Sequence, residues 1–166
     1  PGHDYRIVPG ISIASDGPVA SVAVFSKVRN KDIRSIALDT SSRTSQALLR
    51  VLCARRFEID PRFVHLPPDL SHMLSQCDAA LVIGDNALFS NHESLGVEKI
   101  DLGEEWLTMT GLPFVYAFWA GRAGVVGPEA ISVLHRTRDH GLGATAAIAG
   151  QAYPENPGKA ARADRY

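Results

Sequence analysis

Cysteine is scarce in this sequence: there are two, Cys53 and Cys77. They show no C-x-x-C spacing, which argues against zinc binding and dithiol redox chemistry. Each stands among apolar neighbours in a segment expected to be helical, so both read as small buried hydrophobes in a reducing, cytoplasmic compartment. The six histidines, His3, His65, His72, His92, His135 and His140, form no H-x-x-x-H pair and have no cysteine beside them, so no metal site is expected. His65, near the end of a strand, is the only one to consider for catalysis, although a structural histidine is the commoner case. The glycine-rich phosphate fingerprints G-x-G-x-x-G and G-x-x-x-x-G-K are absent, as is G-x-S-x-G, which disfavours a nucleotide-cofactor enzyme or a serine hydrolase. Long apolar runs are also lacking. The longest, LPFVYAFWAG at 112–121, stops at Arg122 and is too short to span a bilayer. No charge sign dominates, since the formal net charge is −1. Neither a nucleic acid nor an anionic membrane is therefore an expected partner.

What is present suits a globular fold. Of 166 residues, 45% are hydrophobic and 21% charged, enough for a real core. Strands are expected at 7–14, 21–27, 35–39, 63–66, 78–84, 98–103 and 113–121. Helices are expected at 44–56, 69–76, 103–111 and 128–149, the last with a break near Gly141–Gly143. The helix at 44–56 would turn Ala47, Leu48, Val51 and Leu52 inward. DAALVIG at 78–84 is a continuous apolar run of the kind found in a strand buried on both faces. Alternating strands and helices indicate an α/β fold with a parallel sheet. The tail AYPENPGKAARADRY is polar and rich in Pro and Gly. It reads as a linker, with a new helix starting near Ala160. The opening PGHDYRIVPG has no cap, methionine or signal peptide and reads as the middle of a fold.

One segment stands out for chemistry. Asp39-Thr40-Ser41-Ser42-Arg43-Thr44-Ser45 follows a buried strand and opens a helix. Ligands of α/β sheets gather beyond the carboxyl ends of the strands. The first N–H groups of a helix have no internal partner and carry the positive end of its dipole. Ser41, Ser42, Thr44 and Ser45 add hydroxyl donors, and Arg43 adds a bidentate cation. A charge-assisted hydrogen bond contributes roughly 1.5–3 kcal/mol, so two or three would hold a carboxylate or phosphate at about millimolar to micromolar strength. Plain N-capping needs only one of those hydroxyls. Ile83-Gly84-Asp85-Asn86 ends the next buried strand. Gly84 permits a tight turn there. Asp85 is either a general acid or base or simply a helix N-cap. Thr110-Gly111-Leu112-Pro113 is explained by a helix C-cap and a proline stop. Ser15-Asp16-Gly17-Pro18 is a turn by composition, and it precedes Ser21, which is expected to face the ligand.

Four sets of residues, YRIVPGISIAS-GPVASV, IALDTSSRTSQALLRVL, DAALVIGDNAL and DLGEEW-TGLPFVYAFWA, recur in this order over about residues 5 to 122. In this respect the chain resembles the chorismate dehydratase family, enzymes of menaquinone biosynthesis by the futalosine route. Residues 128–149 agree with it in character only. The resemblance implies a two-lobed α/β fold of the type II periplasmic-binding-protein kind, with mixed or parallel sheets, incomplete at both ends. It makes 19–110 the middle lobe and 1–18 with 111–166 parts of the first lobe, whose remainder is missing. Ser15–Ser21 and Thr110–Phe114 would be the crossing strands, and substrate would lie between the lobes. The implied reaction dehydrates chorismate to 3-[(1-carboxyvinyl)oxy]benzoate and requires no cofactor. The implied partner is a small carboxylate, with the oligomeric state open. Ser21, Ser41, Ser42, Arg43, Thr44, Ser45, Gly84, Thr110 and Gly111 would contact the substrate, and Asp85 is the candidate for proton transfer. A substrate carboxylate serves equally well as the base.

Two other functions use the same fold. One is a solute-binding protein for a small carboxylate. The other is 1,4-dihydroxy-6-naphthoate synthase, which acts later in the same pathway on a bicyclic substrate.

Overall fold

The computed structural model describes residues 4–166. His3 lies outside them. The described chain is a mixed α/β protein that divides into two compact units, Ala14–Phe114 and residues 4–13 with Val115–Tyr166.

The first of these units is built on a five-stranded sheet ordered β4-β3-β5-β2-β6. Its strands are β2 (Val22–Ser26), β3 (Ser35–Asp39), β4 (Arg62–Leu66), β5 (Ala79–Ile83) and β6 (Glu98–Asp101). Strand β3 runs parallel to both β4 and β5, with Leu38 opposite His65 and Leu81. Strand β2 runs antiparallel to β5 and β6, with Val24 opposite Leu81 and Ile100. The sheet is therefore mixed, one of the two forms the family resemblance implies, and not the parallel one that the alternation of strands and helices suggests. The cause is the link 27–34, which is too short for the helical crossover that a parallel return requires. All five residues of β2 are buried, as are Ala79–Val82 of β5, so the continuous apolar runs do mark strands covered on both faces.

Helices cover the sheet. Ala23, Phe25, Ala37, Ala80 and Val82 form one core with Met73, Leu74 and Ala87. The last three belong to α2 (Leu70–Gln76) and α3 (Asp85–Leu88). With a side-chain period of two, Val24, Ile36, Leu38 and Leu81 point to the other face, and all are essentially inaccessible. That face belongs to α1 (Arg43–Leu52) and α4 (Leu102–Thr110), which pack together. Helix α1 buries Ser45, Leu48, Leu49 and Leu52, while Ala47 and Val51 face outward. The expected stripe is thus rotated, because Leu48, Leu49 and Leu52 make the continuous apolar edge and Ser45 lies on its upstream extension. Cys53–Phe57 continues α1 as a π-turn, and Glu58 closes it in the left-handed conformation.

The second unit holds β1 (Tyr5–Ser15) and β7 (Phe114–Arg122), paired as a two-stranded sheet, with α5 (Pro128–Leu142), α6 (Thr145–Ala152) and α7 (Pro157–Asp164). Gly10, at φ +71, lets β1 pass close under α5, where a Cβ would lie 3.1 Å from His135 Nε2. His135 Nε2 is hydrogen-bonded to Pro9 C=O at 2.8 Å, and the Arg138 guanidinium donates to Gly10 C=O. The tail is helical rather than a linker, and the helix expected near Ala160 begins at Pro157. Asn156 caps α7 by accepting from Lys159 N–H at 2.9 Å, and Pro157 occupies the first turn. Composition hid a local start signal.

Candidate functional site

The hydroxyl-rich segment follows β3 and opens α1, as its sequence requires. Its organiser is a residue the sequence left unassigned. Asp39 is buried, and its Oδ1 accepts from Ser41 N–H at 2.8 Å and Ser41 Oγ–H at 2.6 Å. Its Oδ2 accepts a long bond from Ile83 N–H at 3.4 Å, and its C=O accepts from Gln46 Nε2 at 2.8 Å. Ser42 is the N-cap: its Oγ accepts from Ser45 N–H at 3.2 Å and donates to Ser45 Oγ at 3.0 Å. Ser45 itself is buried on the core stripe of α1. Three of the four hydroxyls are thus engaged within the turn, and local capping explains more of the motif than its composition suggested. Arg43 and Thr44 remain, both exposed at the first turn of α1. The arrangement offers a cation, one hydroxyl and the dipole end of a ten-residue helix.

Three loops meet at this edge of the sheet. Strands β3 and β5 are parallel neighbours, so Ser41–Ser45 and Gly84–Asp85 leave the same end. Strand β2 is antiparallel and begins there, with Val22 opposite Ile83. Ser21 is buried, and its C=O accepts from Gly84 N–H at 2.7 Å. Gly84, at φ 62 and ψ −145, is the N-cap of α3, in a backbone region open essentially to glycine alone. Asp85 is the first residue of α3 and is exposed, so it is not the cap.

Thr110 and Gly111 sit at the opposite end of α4, about 13 Å of helix from Asp101. Thr110 Oγ1 donates to Trp106 C=O at 2.8 Å and accepts from Leu112 N–H at 3.1 Å, while Gly111 closes the helix at φ 69. Both are engaged as a helix terminus. His65 is exposed on edge strand β4.

Cys53 is chemically quiet. Burial pushes the Cys53 thiol up to about 12, against the lowering effect of Arg50 and with a small rise from Asp60. It is therefore protonated at neutral pH and no nucleophile. Cys77 is buried just beyond α2 as its C-cap rather than inside it. Among the described residues no group of three or more His, Cys, Asp or Glu is placed to hold a metal ion, and no helix is long and apolar enough to cross a membrane. A depression of about 460 Å³ beside α3, whose lining includes Asp69, Ser71, Asn86 and Ser94, contains no Lys or Arg. It is therefore poorly suited to an anion.

A sequence profile for menaquinone biosynthesis matches residues 2–166. Over 153 residues the chain is 34% identical to a protein of Thermus thermophilus named chorismate dehydratase. That match covers 82% of this chain and 56% of the relative, so the chain spans little more than half the length of the curated protein it matches. A crystal structure of a protein from Archaeoglobus fulgidus superposes with a TM-score of 0.66 at 22% identity, covering 98% of this chain and 62% of that one. This last likeness concerns the fold alone. The match spans both units and the hydroxyl-rich turn, and by it the chain belongs to the menaquinone-biosynthesis family.

Proposed function

We propose that the protein of which this chain forms part is a chorismate dehydratase, a hydro-lyase that converts chorismate to 3-[(1-carboxyvinyl)oxy]benzoate and water. The observation that carries this reading is the 34% identity to the Thermus enzyme over 153 residues. The chemistry fits the sheet edge. Dehydration removes a ring proton and a hydroxide, and aromatisation drives it. The protein must chiefly hold two carboxylates and orient the ring. Arg43, Thr44 and the first N–H groups of α1 grip one carboxylate, with Ser41, Ser42 and Ser45 shaping the turn. Ser21 and Gly84 flank it. Thr110 and Gly111 contribute to binding from the end of α4. Asp85, exposed at the same edge as the turn, is the group that moves the proton, a role a substrate carboxylate could also fill. The chemistry calls for no cofactor. The finer fold is two-lobed, of the type II periplasmic-binding-protein kind, with 19–110 as the middle lobe and 1–18 with 111–166 in the first.

The test incubates the complete protein with chorismate and follows the aromatic product by ultraviolet absorbance. Turnover is expected. A folded, complete protein that leaves chorismate unchanged refutes the dehydratase reading. Replacing Ser41 and Ser42 together by Ala should raise KM for chorismate. An unchanged KM would remove the turn from the site without touching the assignment of the reaction.

A further inference from the structure

The segment Val19–Ser21, which delivers β2 to the sheet edge, is held in a conformation that its sequence does not favour. Ala20 has φ 57, a left-handed value that costs a residue with a Cβ. The other described non-glycine residue at positive φ, Glu58, closes a helix, where such values are common. Ala20 closes no helix. It sits at the centre of a tight three-residue turn, in which Ser21 N–H donates to Val19 C=O at 2.6 Å.

Two side chains of β6 hold this turn from outside. The Asp101 carboxylate accepts from Val19 N–H at 3.0 Å and from Ala20 N–H at 2.6 Å. Lys99 Nζ donates to Ala20 C=O at 2.7 Å and to Ala87 C=O at 3.1 Å. Both backbone polar groups of Ala20 are thus bound by side chains two residues apart, which share one face of a strand. The same Asp101 carboxylate caps α4, accepting from Gly103 N–H at 2.9 Å and Glu104 N–H at 3.2 Å. The ammonium lies 5.7 Å from the centroid of the buried Phe25 ring, beside the core.

From this geometry we infer that Asp101 and Lys99 are positioning residues for the proposed substrate site. They keep Ala20 in its disfavoured turn, and the turn presents Ser21 C=O to Gly84 N–H at 2.7 Å. Without them Ala20 relaxes to negative φ, the Ser21 peptide rotates, and Gly84 loses its acceptor. Two of the three loops at the sheet edge then lose their mutual register. Neither side chain needs to touch substrate. The identity of the ligand rests on the dehydratase reading, whereas the brace rests on the hydrogen bonds alone.

The test uses the complete protein with Asp101→Asn and Lys99→Met, each alone and combined with Ala20→Gly. Lys99→Met guards against an Asp101 variant that fails to fold, since Lys99, unlike Asp101, does not cap α4. Each single variant should raise KM for chorismate by about tenfold, the scale of one lost charge-assisted hydrogen bond, with a smaller change in kcat. Amide hydrogen exchange at Gly84 should accelerate in parallel. Ala20→Gly, which removes the penalty at positive φ, should recover part of the lost KM and of the lost protection. Folded single variants with unchanged KM and unchanged Gly84 exchange overturn the inference. So does a raised KM that Ala20→Gly leaves untouched, because general loosening would behave that way. If the parent protein does not act on chorismate, the dehydratase reading fails, and Gly84 exchange still decides the brace.

Discussion

Asp78 shows how a single carboxylate fixes a strand junction. It stands just before β5 and accepts from Arg34 N–H, Ser35 N–H and Ser35 Oγ–H, each at 2.9 Å. Ser35 Oγ in turn accepts from Asp78 N–H at 3.0 Å, so the starts of β3 and β5 are clasped together. Partial burial pushes its carboxyl up. The hydrogen bonds from Arg34 and Ser35, with Lys27 nearby, outweigh that, and the net shift is downward from 3.8. A carboxyl depressed in the folded state binds protons more readily when unfolded. Its stabilisation is therefore complete above the unfolded value near 3.8 and is lost as pH falls through the lower folded value. Asp78→Asn should lower the melting temperature at neutral pH. The gap to the parent protein should narrow as the pH is taken below that range. Melting curves recorded from neutral to strongly acidic pH check this, and a gap independent of pH would remove the charge from the explanation.

At the scale of elements, the junction between β5 and α3 is the tightest local constraint. A Cβ on Gly84 would meet nothing within 4 Å, yet its φ of 62 with ψ near −145 belongs to glycine. Gly84→Ala should therefore destabilise the protein by about 1–3 kcal/mol through backbone strain alone. Denaturant titration measures it, and an unchanged midpoint would mean that the junction relaxes freely. The glycine itself was legible, as were the strands around it, because IAL (36–38) and ALVI (80–83) are apolar without a break. The direction of β2 was not legible, since an apolar run reads the same both ways and only the short link 27–34 betrays the reversal. Ser45 reads as a ligand contact by its hydroxyl, one of four in the turn, although the stripe of α1 covers it. Counted from Leu48 and Leu49, the same periodicity places Ser45 inside. Asp39 and Asp101 went unassigned because a carboxylate at a strand end has the same letter whether it caps, braces or binds. Asp101 did carry a signal in Asp101-x-x-Glu104, a pattern that resembles a capping box.

At the scale of the whole molecule, the core is unevenly shared. Among the described residues, every buried apolar side chain except Val8 and Ala149 lies within Ala14–Phe114. That unit has a five-stranded sheet whose three central strands are covered on both faces, which is enough to be stable by itself, whereas a two-stranded sheet is marginal in water. The other unit leaves Tyr5, Ile7, Ile13, Phe118 and Trp119 more than half exposed. Exposed apolar patches of that kind favour association. A polypeptide of residues 14–114 should therefore fold alone, with dispersed amide resonances and one cooperative unfolding transition followed alike by circular dichroism and by Trp106 fluorescence. Residues 115–166 alone should show no cooperative transition, since β7 would lack β1. If 14–114 instead melts gradually, with the two probes out of step, its core must depend on residues beyond those bounds. The hydrogen bonds of Asp39, Asp78 and Asp101, all internal to that unit, would then be insufficient to hold its sheet edges.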